Sequence, residues 1–302
     1  MARDGVPDEP ELLVIGSIAL DKRDGPFGKV EQELGGSAVY FALAASLLVP
    51  VKVSAPVGRD AIERLTKAFD GRRIETTHIN VLDAPTYRWS AHQEHGRNVD
   101  LGSADEIYDQ WEPEIPPGFT GWAFVGSMRP DRQAQAVKAI HHSAQLLAAD
   151  AMLSYIKAQT TEARDVLRRS AWFFCNHEEF QAFGGRDPEE FRRQWWLEGL
   201  VLKAGHDGVT TYTADGKVHV PALTKYTAFD TTGAGDALAG GMLARWLTTG
   251  ARRAGLQDAM VCGVACASLT IESIGVRGIA GATPQLLEDR MDDIWQALRP
   301  AS

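Results

Sequence analysis

Hydrophobic residues fall along the chain in short runs that alternate with amphipathic stretches. Runs at 11–18 (ELLVIGSI) and 51–58 (VKVSAPVG) predict buried strands, whereas 37–48 (SAVYFALAASLL) and 59–69 (RDAIERLTKAF) predict helices. Further on, the pattern predicts strands at 121–127, 145–151, 171–176 and 199–205, helices at 132–144, 161–170, 178–183 and 190–196, a hairpin at 208–222, and final helices near 234–249, 254–272 and 284–299. This alternation predicts a three-layer α/β/α fold with a mostly parallel central sheet.

Two segments, at about 19–36 and 84–110, break this rhythm. The first is polar and rich in turn residues, and the second alternates polar with aromatic residues without a helical stripe that would face a core. We expect short, half-exposed strands in both segments. They would form a small β lid on a single α/β domain that spans residues 1–302.

Composition and charge narrow the class of protein. The chain has 302 residues, 44% of them hydrophobic, and a formal net charge of −9. An acidic chain of this kind lacks the basic footprint of a nucleic-acid or anionic-membrane binder. We see no leader pattern in MARDGVPDEPELL and no apolar run of membrane-spanning length, and three cysteines are too few for a disulfide framework. A cytoplasmic protein is therefore expected.

The stretch 230–236, DTTGAGD, runs directly into an apolar helical segment. Helix N-termini carry unpaired amides and a partial positive charge, and small residues let an anion approach them. Gly233, Ala234 and Gly235 are therefore candidates for an anion hole. The turn alone is equally compatible with a plain glycine turn in which Asp236 favours the helix start.

Asp236 favours a catalytic interpretation of this turn. A carboxylate repels a bound phosphate, so its place beside an anion hole suits a base that activates a hydroxyl for phosphoryl transfer. The Walker pattern is absent, and no dinucleotide-binding fingerprint follows the first strand, which argues against a reductase. The local pattern thus predicts an amide hole with a neighbouring base.

DTTGAGDALAGG strongly resembles the C-terminal motif of the ribokinase-like (PfkB) family of sugar and nucleoside kinases, usually D-T-x-G-A-G-D. VIGSIALD, LGGSAVYFALAASL and VSAPVGRD resemble the family's N-terminal elements, in the right order along the chain. The resemblance implies a ribokinase-like domain and a cytoplasmic, ATP- and Mg²⁺-dependent kinase. Such a kinase would transfer the γ-phosphoryl group to a hydroxymethyl group of a nucleoside or sugar, with Asp236 as base.

The resemblance also assigns residues to the nucleotide and ion sites. It implies that Asp230 and Thr232 hold a monovalent cation, K⁺, and that Asn176 and Glu179 of CNHEEF act near Mg²⁺ and the phosphates. In LKAGHDG it places Lys203, Gly205 and Gly208 beside ATP. From the residues alone, 176–179 also reads as a helix start, and the two glycines as a hairpin turn that needs positive φ.

On the acceptor side, the resemblance gives Asp21 the role of binding a sugar diol through charge-assisted hydrogen bonds. Gly35 and Gly36 would allow backbone contact with the substrate and act as a hinge for the lid. TYRWSAHQEHGRNVD resembles the lid strand TFRW of a subgroup that includes nucleoside kinases, so Arg88 and Trp89, together with Phe27 of the other lid segment, are expected to face the substrate.

The acceptor side also departs from the family pattern. Tyr40 and Leu153 stand where related chains often have asparagine. Both changes make the pocket less polar, which favours a nucleoside over a free sugar.

Two other functions stay open at this stage. One is a pyrimidine- or vitamin-precursor kinase of the same fold, which usually lacks the lid. Another is a non-catalytic sugar- or nucleotide-binding regulator, expected to have lost the base or the glycine loop. For assembly, the resemblance implies a homodimer, because lids in this family commonly pair across a dimer. No nucleic-acid or membrane partner is expected.

Overall fold

Two β-sheets organise the fold. The computed structural model describes residues 11–94 and 97–299, so the N-terminal segment read above for a leader and residues 95 and 96 of the lid segment lie outside the described residues. The larger sheet contains β1 (Leu12–Ile15), β4 (Val51–Gly58), β5 (Ile74–Leu82), β8 (Trp122–Val125), β9 (Leu146–Asp150), β10 (Trp172–Asn176), β11 (Gly199–Lys203), β12 (Val209–Thr213) and β13 (Gly216–Val220). The smaller sheet contains β2 (Ala19–Gly25), β3 (Gly28–Gly35), β6 (Arg88–Glu94) and β7 (Arg97–Ala104).

The larger sheet has the strand order β13-β12-β11-β10-β9-β8-β1-β4-β5. Its strands from β5 to β11 pair in parallel, and β12 and β13 add an antiparallel hairpin. The structure thus confirms the predicted mostly parallel sheet. β5, which the hydrophobic pattern did not reveal, forms the far edge.

Helices cover both faces of this sheet. They are α1 (Ser37–Ala45), α2 (Ile62–Phe69), α3 (Pro130–Ile140), α4 (Leu153–Ala158), α5 (Thr160–Arg169), α6 (His177–Ala182), α7 (Pro188–Gln194), α8 (Ala234–Thr248), α9 (Leu256–Ile271), α10 (Arg277–Ala280) and α11 (Pro284–Leu298). Side chains of β1 alternate between two cores, with Leu12 and Val14 in one and Leu13 and Ile15 in the other. This alternation explains why a strand buried on both faces reads as a continuous hydrophobic run.

Small residues fix the position of α8 between α1 and α9. A Cβ atom on Gly240 would lie 2.4 Å from the Phe41 carbonyl oxygen, and one on Gly241 would lie 2.5 Å from Sγ of Cys266. Close backbone approach is therefore built into this layer. Its consequence is a rigid placement of the N-terminus of α8 at the edge of the sheet where the parallel strands end.

The smaller sheet has the order β3-β2-β6-β7 and is built from the two segments that broke the βα rhythm. β2 pairs antiparallel with β3 and in parallel with β6, and β6 pairs antiparallel with β7. A bulge between Asp21 and Arg23 interrupts the pairing of β2 with β3. We refer to this sheet as the lid sheet.

One helical stretch among the described residues, Arg253–Ile271, is long and apolar enough to cross a membrane by length and composition alone. About two thirds of it, 67%, is buried inside the fold. Most of α9 belongs to one of the two cores described above, as expected of a central helix in a layered α/β domain.

Candidate active site

The glycine turn begins α8 with a residue in the left-handed conformation, which favours glycine. Gly233 has φ 74° and caps the helix, and its carbonyl accepts the first helical hydrogen bond from Ala237 N at 2.9 Å. A Cβ at this position would lie 2.3 Å from ring atoms of Tyr40. The turn therefore combines a left-handed residue with a close aromatic contact, and the first amides of α8 point away from the helix without intrahelical partners.

Four ionisable side chains meet at the carboxyl ends of the strands, and we call them the lysine cluster: Asp150, Glu179, Lys203 and Asp236. Asp150 ends β9 and Lys203 ends β11, while Glu179 and Asp236 lie in the first turns of α6 and α8. Lys203 Nζ would stand 2.9 Å from a Cβ built on Gly235. The ammonium group thus lies directly beside the predicted anion hole.

Burial governs the protonation of this cluster. It raises the pKa of Asp236 to about 6, with the charge of Lys203 opposing the rise. Burial, reinforced by the charge of Asp236, raises the pKa of Asp150 well above its usual range. Burial thus favours the neutral form of both carboxyls relative to their forms in water.

Lys203 stays charged in this cluster. Burial by itself would lower its pKa, but the surrounding carboxylates, led by Glu179, outweigh that effect and hold the pKa of Lys203 above its ordinary value. Burial also raises the pKa of Glu179, again opposed by Lys203. The result is a fixed positive charge enclosed by acids, next to amides that can bind an anion.

Asn176 and Glu179 form a capping box at the start of α6. Asn176 Oδ1 accepts from the amide of Glu179 at 2.9 Å, and Glu179 Oε2 accepts from the amide of Asn176 at 2.8 Å. The helix-start reading of this motif is thus realised. Glu179 is also close enough to Lys203 to affect its charge, so the cap brings the carboxylate into the lysine cluster.

Gly205 and Gly208 lie in the turn that follows Lys203. Their φ values are 58° and 92°, and Gly208 packs against the backbone at Val220, whose oxygen would lie 2.2 Å from an added Cβ. The turn-forming requirement therefore accounts for both glycines. Gly205 is exposed to solvent, whereas Gly208 is buried.

Residues fitting ATP and Mg²⁺ converge at this edge of the sheet. The amides that start α8 and the ammonium of Lys203 suit phosphate oxygens, and the Glu179 carboxylate is an oxygen ligand of the kind that Mg²⁺ prefers. Within residues 11–94 and 97–299, no three acidic, histidine or cysteine side chains are arranged to hold a metal ion by themselves. A magnesium ion here would need phosphate oxygens or water as further ligands.

A second group, which we call the arginine cluster, lies on the lid side of the glycine turn: Asp21, Arg23, Asp230 and Thr232. Arg23 Nη1 donates to both carboxylate oxygens of Asp230 and to Thr232 Oγ1, the last at 2.7 Å. Arg23 Nε lies 3.8 Å from Asp21 Oδ2. Asp230 and Thr232, expected to hold K⁺, thus bind a guanidinium group instead.

The pocket around Asp21 is closed. Asp21 is 2% exposed and Tyr40 1%, and a Cβ on Gly35 would meet Asp21 Oδ2 at 2.4 Å. Gly36 has φ 101°, and a Cβ there would lie 2.4 Å from the Ser17 carbonyl. Burial raises the pKa of Asp21 to about 7, although Arg23 opposes the rise.

The lid sheet holds the loop before the glycine turn at several points. Gln93 Oε1 accepts from the amide of Thr231 at 3.1 Å, and Asn98 Nδ2 donates to Thr232 Oγ1 at 3.1 Å. Phe27 packs against Phe229 with ring centroids 6.1 Å apart. These contacts place Phe27 beside the loop before the glycine turn and bring in polar lid residues that the sequence did not indicate.

Two other lid residues expected at the substrate are engaged elsewhere. The guanidinium of Arg88 donates to Asp60 Oδ2 at 2.7 Å, in a pair of which each side chain is about a third exposed, 36% and 35%. Trp89 Nε1 donates to Asp100 Oδ1 at 3.1 Å within the lid sheet.

Arg23 is the main site residue that sequence reasoning missed. It lies two positions after Asp21 on β2, which is a signal of proximity, but the bulge between them breaks the regular alternation of faces. Its partner, Asp230, is 207 residues away in the chain. Only the folded chain reveals that pairing.

The chain is similar in sequence to known kinases. The family described as "pfkB family carbohydrate kinase" matches residues 11–280. An ATP-dependent ribose-1-phosphate kinase from Halopiger xanaduensis is 37% identical over 95 residues, which cover 31% of this chain and 30% of that protein. The chain therefore aligns with less than a third of the length of that relative.

Two solved structures share the fold over nearly their whole length. The nucleoside kinase of Burkholderia thailandensis in complex with inosine superposes with a TM-score of 0.78 at 18% identity, covering 96% of this chain and all (100%) of the other. The fructokinase of Vibrio cholerae, with fructose, ADP and a calcium ion bound, gives a TM-score of 0.73 at 18% identity, with coverages of 94% and 99%. The likeness confirms the predicted ribokinase-like fold.

Proposed function

The chain belongs to the pfkB family of carbohydrate kinases and is a phosphotransferase, and from this premise we propose a specific reaction. It transfers the γ-phosphoryl group of ATP to a hydroxymethyl group of a nucleoside or sugar. The observation that carries the proposal is the half-buried Asp236 carboxylate, one residue beyond the Gly233–Gly235 turn and close to Lys203. ATP supplies the phosphoryl group and Mg²⁺ neutralises charge on its phosphates.

Asp236 acts as the base. With a pKa of about 6 it is ionised at neutral pH. It orients the acceptor hydroxyl and takes its proton, a contribution of about 10²–10⁴-fold. The amides of Gly233, Ala234 and Gly235, with the Lys203 ammonium, bind the oxygens on which charge develops during transfer.

Asp21 binds the acceptor. Its carboxylate lies against Gly35 at the floor of the pocket and can accept from two neighbouring hydroxyls of a ribose or related sugar. The buried ring of Tyr40, packed on Gly233, supplies an apolar wall between the acceptor and the turn. An apolar aromatic wall favours a nucleoside over a free sugar.

Access to this pocket requires movement of the lid sheet. Asp21 and Arg23 are each 2% exposed, and lid residues bond directly to the loop before the glycine turn. An acceptor therefore enters when the lid sheet separates from that loop, and closure afterwards excludes water that would hydrolyse ATP.

A panel of acceptors tests the reaction. ATP consumption is measured with Mg²⁺ against ribo- and deoxyribonucleosides, ketoses, aldoses, inositols and ribose 1-phosphate, the last because one relative carries that name. Turnover of one class that vanishes in Asp236→Asn supports the proposal. ATP binding without turnover across the panel supports a non-catalytic regulator, and turnover of a pyrimidine or vitamin precursor alone supports that alternative kinase.

We further propose that the lid sheet pairs in a homodimer. β7 is an edge strand of that sheet, and Val99 and Leu101 on it are 48% and 65% exposed. An apolar strand edge invites pairing with another strand, and a second copy of the same sheet provides one. Sedimentation should show a dimer that Leu101→Glu dissociates, and a monomeric wild-type protein would contradict the proposal.

A further inference from the structure

Asp230 carries a buried charge that must be balanced. Its exposure is 1%, and an isolated carboxylate at that depth is unstable without a cation or strong hydrogen bonds. Both of its oxygens accept from Arg23 Nη1, and further donors are the amides of Thr232 at 3.0 Å and Gly275 at 2.9 Å. The carboxylate is therefore fully satisfied by groups of the chain itself.

The oxygen atoms expected to coordinate K⁺ are the ones that Arg23 occupies. Thr232 Oγ1 accepts from Arg23 Nη1 at 2.7 Å and from Asn98 Nδ2 at 3.1 Å. A metal ion bound to these same oxygens would lie in contact with a guanidinium group, and two cations at that distance repel each other. The side-chain oxygens of Asp230 and Thr232 thus do not fit a monovalent metal ion.

We propose that Arg23 is the fixed cation of the 230–232 loop and makes K⁺ unnecessary. This inference rests on the proposed function for its catalytic consequence. Arg23 is a positioning residue: it neutralises Asp230 and binds Thr232, and so holds the backbone that leads into the Gly233–Gly235 amides. A guanidinium group is always protonated, and here its Nη1 atom contacts both Asp230 and Thr232, so one charged nitrogen holds the two side chains together.

Because Arg23 is part of β2, this cation is attached to the lid sheet, whereas a free ion is not. The side chain belongs to the lid sheet, whereas Asp230 belongs to the loop before α8. The charge therefore arrives at the loop with the lid, and the loop is held in the observed geometry when the lid sheet is docked. Acceptor binding and alignment of the anion hole become linked through one side chain.

Thermal unfolding tests the proposal without any need for turnover. Wild type, Arg23→Ala, Arg23→Lys and the control Lys22→Ala are melted in tetramethylammonium, sodium or potassium chloride at equal ionic strength. Lys22 is the neighbour of Arg23 on β2, with its side chain 68% exposed, so its loss removes a charge but no loop contact. We expect wild type and Lys22→Ala to melt at the same temperature in all three salts.

Removal of the guanidinium should create a dependence on the ion. Arg23→Ala should melt about 5 °C or more below wild type in tetramethylammonium and recover part of that loss in potassium chloride. Arg23→Lys should melt between the two and respond less to potassium. A wild-type protein that potassium stabilises by several degrees overturns the proposal, as does an Arg23→Ala protein that potassium leaves unchanged.

Kinetics supply the second arm once an acceptor is known. Wild-type kcat should agree within about twofold among the three salts, whereas Arg23→Ala should lose about tenfold or more and regain part of it with K⁺. Absence of turnover in wild type with every acceptor would refute the proposed function, and the melting experiment would still decide the role of Arg23. Equal activity of Arg23→Ala and wild type in tetramethylammonium would overturn the positioning role.

Discussion

The lysine cluster and the arginine cluster flank the same glycine turn, yet they differ in composition and in charge balance. The first sets three carboxyls, of Asp150, Glu179 and Asp236, around one ammonium group. The second sets two carboxyls, of Asp21 and Asp230, around one guanidinium group. Burial raises the pKa of all three carboxyls in the first cluster, and in the second it raises the pKa of Asp21.

The cations of the two clusters, Lys203 and Arg23, also differ in shape and flexibility. Lysine carries a compact charge on a flexible stem that can follow a moving phosphoryl group, whereas arginine binds through a rigid, planar fork. One side of the turn is therefore suited to chemistry and the other to geometry. This comparison leads to predictions in which substitutions in the two clusters affect different measured quantities.

The largest effect is expected from Asp236→Asn. The amide keeps the size of the side chain but cannot accept the acceptor's proton, so turnover should fall about 10²–10⁴-fold while ATP binding is retained. Steady-state kinetics and ATP titration measure the two quantities. Asp150→Asn is the matched control, because it removes the neighbouring carboxyl while Asp236 keeps its own, and it should retain most of the turnover. Equal losses in the two variants would contradict the assignment of Asp236 as the base.

The pH profile should report the lysine cluster next. Asp236 must be ionised to act, and its pKa is about 6, so kcat/KM should fall as the pH drops below about 6. Lys203 opposes the effect of burial on this pKa, so Lys203→Gln should move the acid limb to higher pH and lower kcat about tenfold. An acid limb that stays in place would show that Lys203 does not act on Asp236.

In the arginine cluster, Asp21→Asn should change binding more than chemistry. Loss of a charge-assisted contact is worth about 2 kcal/mol, which corresponds to a rise of roughly thirtyfold in the acceptor KM. The KM for ATP should stay within about twofold. A variant with normal acceptor KM and reduced kcat would place Asp21 with the reacting groups instead.

Asp21→Asn should also change how stability depends on pH. The folded-state pKa of Asp21, about 7, exceeds its ordinary value of 3.8, so its contribution to stability is present below pH 4 and is lost as the pH rises through 7. This loss amounts to about 2–3 kcal/mol between pH 5 and pH 8. Urea unfolding at both values should show that Asn abolishes the loss, and an unchanged difference would contradict burial of the ionised form.

The smallest effect is expected outside both clusters, at Arg88→Ala. The Arg88–Asp60 pair is about a third exposed, so its removal should cost less than about 1 kcal/mol of the free energy of unfolding. The acceptor KM should be unchanged, in contrast to Asp21→Asn. A large rise in the acceptor KM would restore the sequence-based assignment of Arg88 to the substrate.

Local patterns allowed much of the site to be predicted from sequence. The glycine turn and Asp236 lie within seven residues, and the requirement for a left-handed residue at a helix start is a property of that short stretch. β5 escaped prediction because it is an edge strand whose side chains are exposed or half-buried along its length, without a repeating hydrophobic face. Periodicity identifies an element only where one face is buried.

The arginine cluster required the tertiary fold. Nothing in DKRDG distinguishes Arg23 from the exposed Lys22 beside it, because both are polar residues in a turn-rich segment. Their difference, buried against exposed, arises from the docking of the lid sheet onto a loop at the other end of the chain. For the same reason, the sequence indicated a cation site at the Asp230 loop but could not indicate that an arginine of the chain contacts it.

The separation of Arg23 from Asp230 along the chain also affects biosynthesis. A ribosome makes the lid strand β2 early and the 230–232 loop only after 207 further residues, so the acceptor pocket is completed late. Until then Arg23 lacks its partner Asp230, and contacts of such long range form slowly. A truncated chain that ends before the glycine turn therefore lacks both the anion hole and the partner that buries Arg23, which would leave it open to chaperones and proteases.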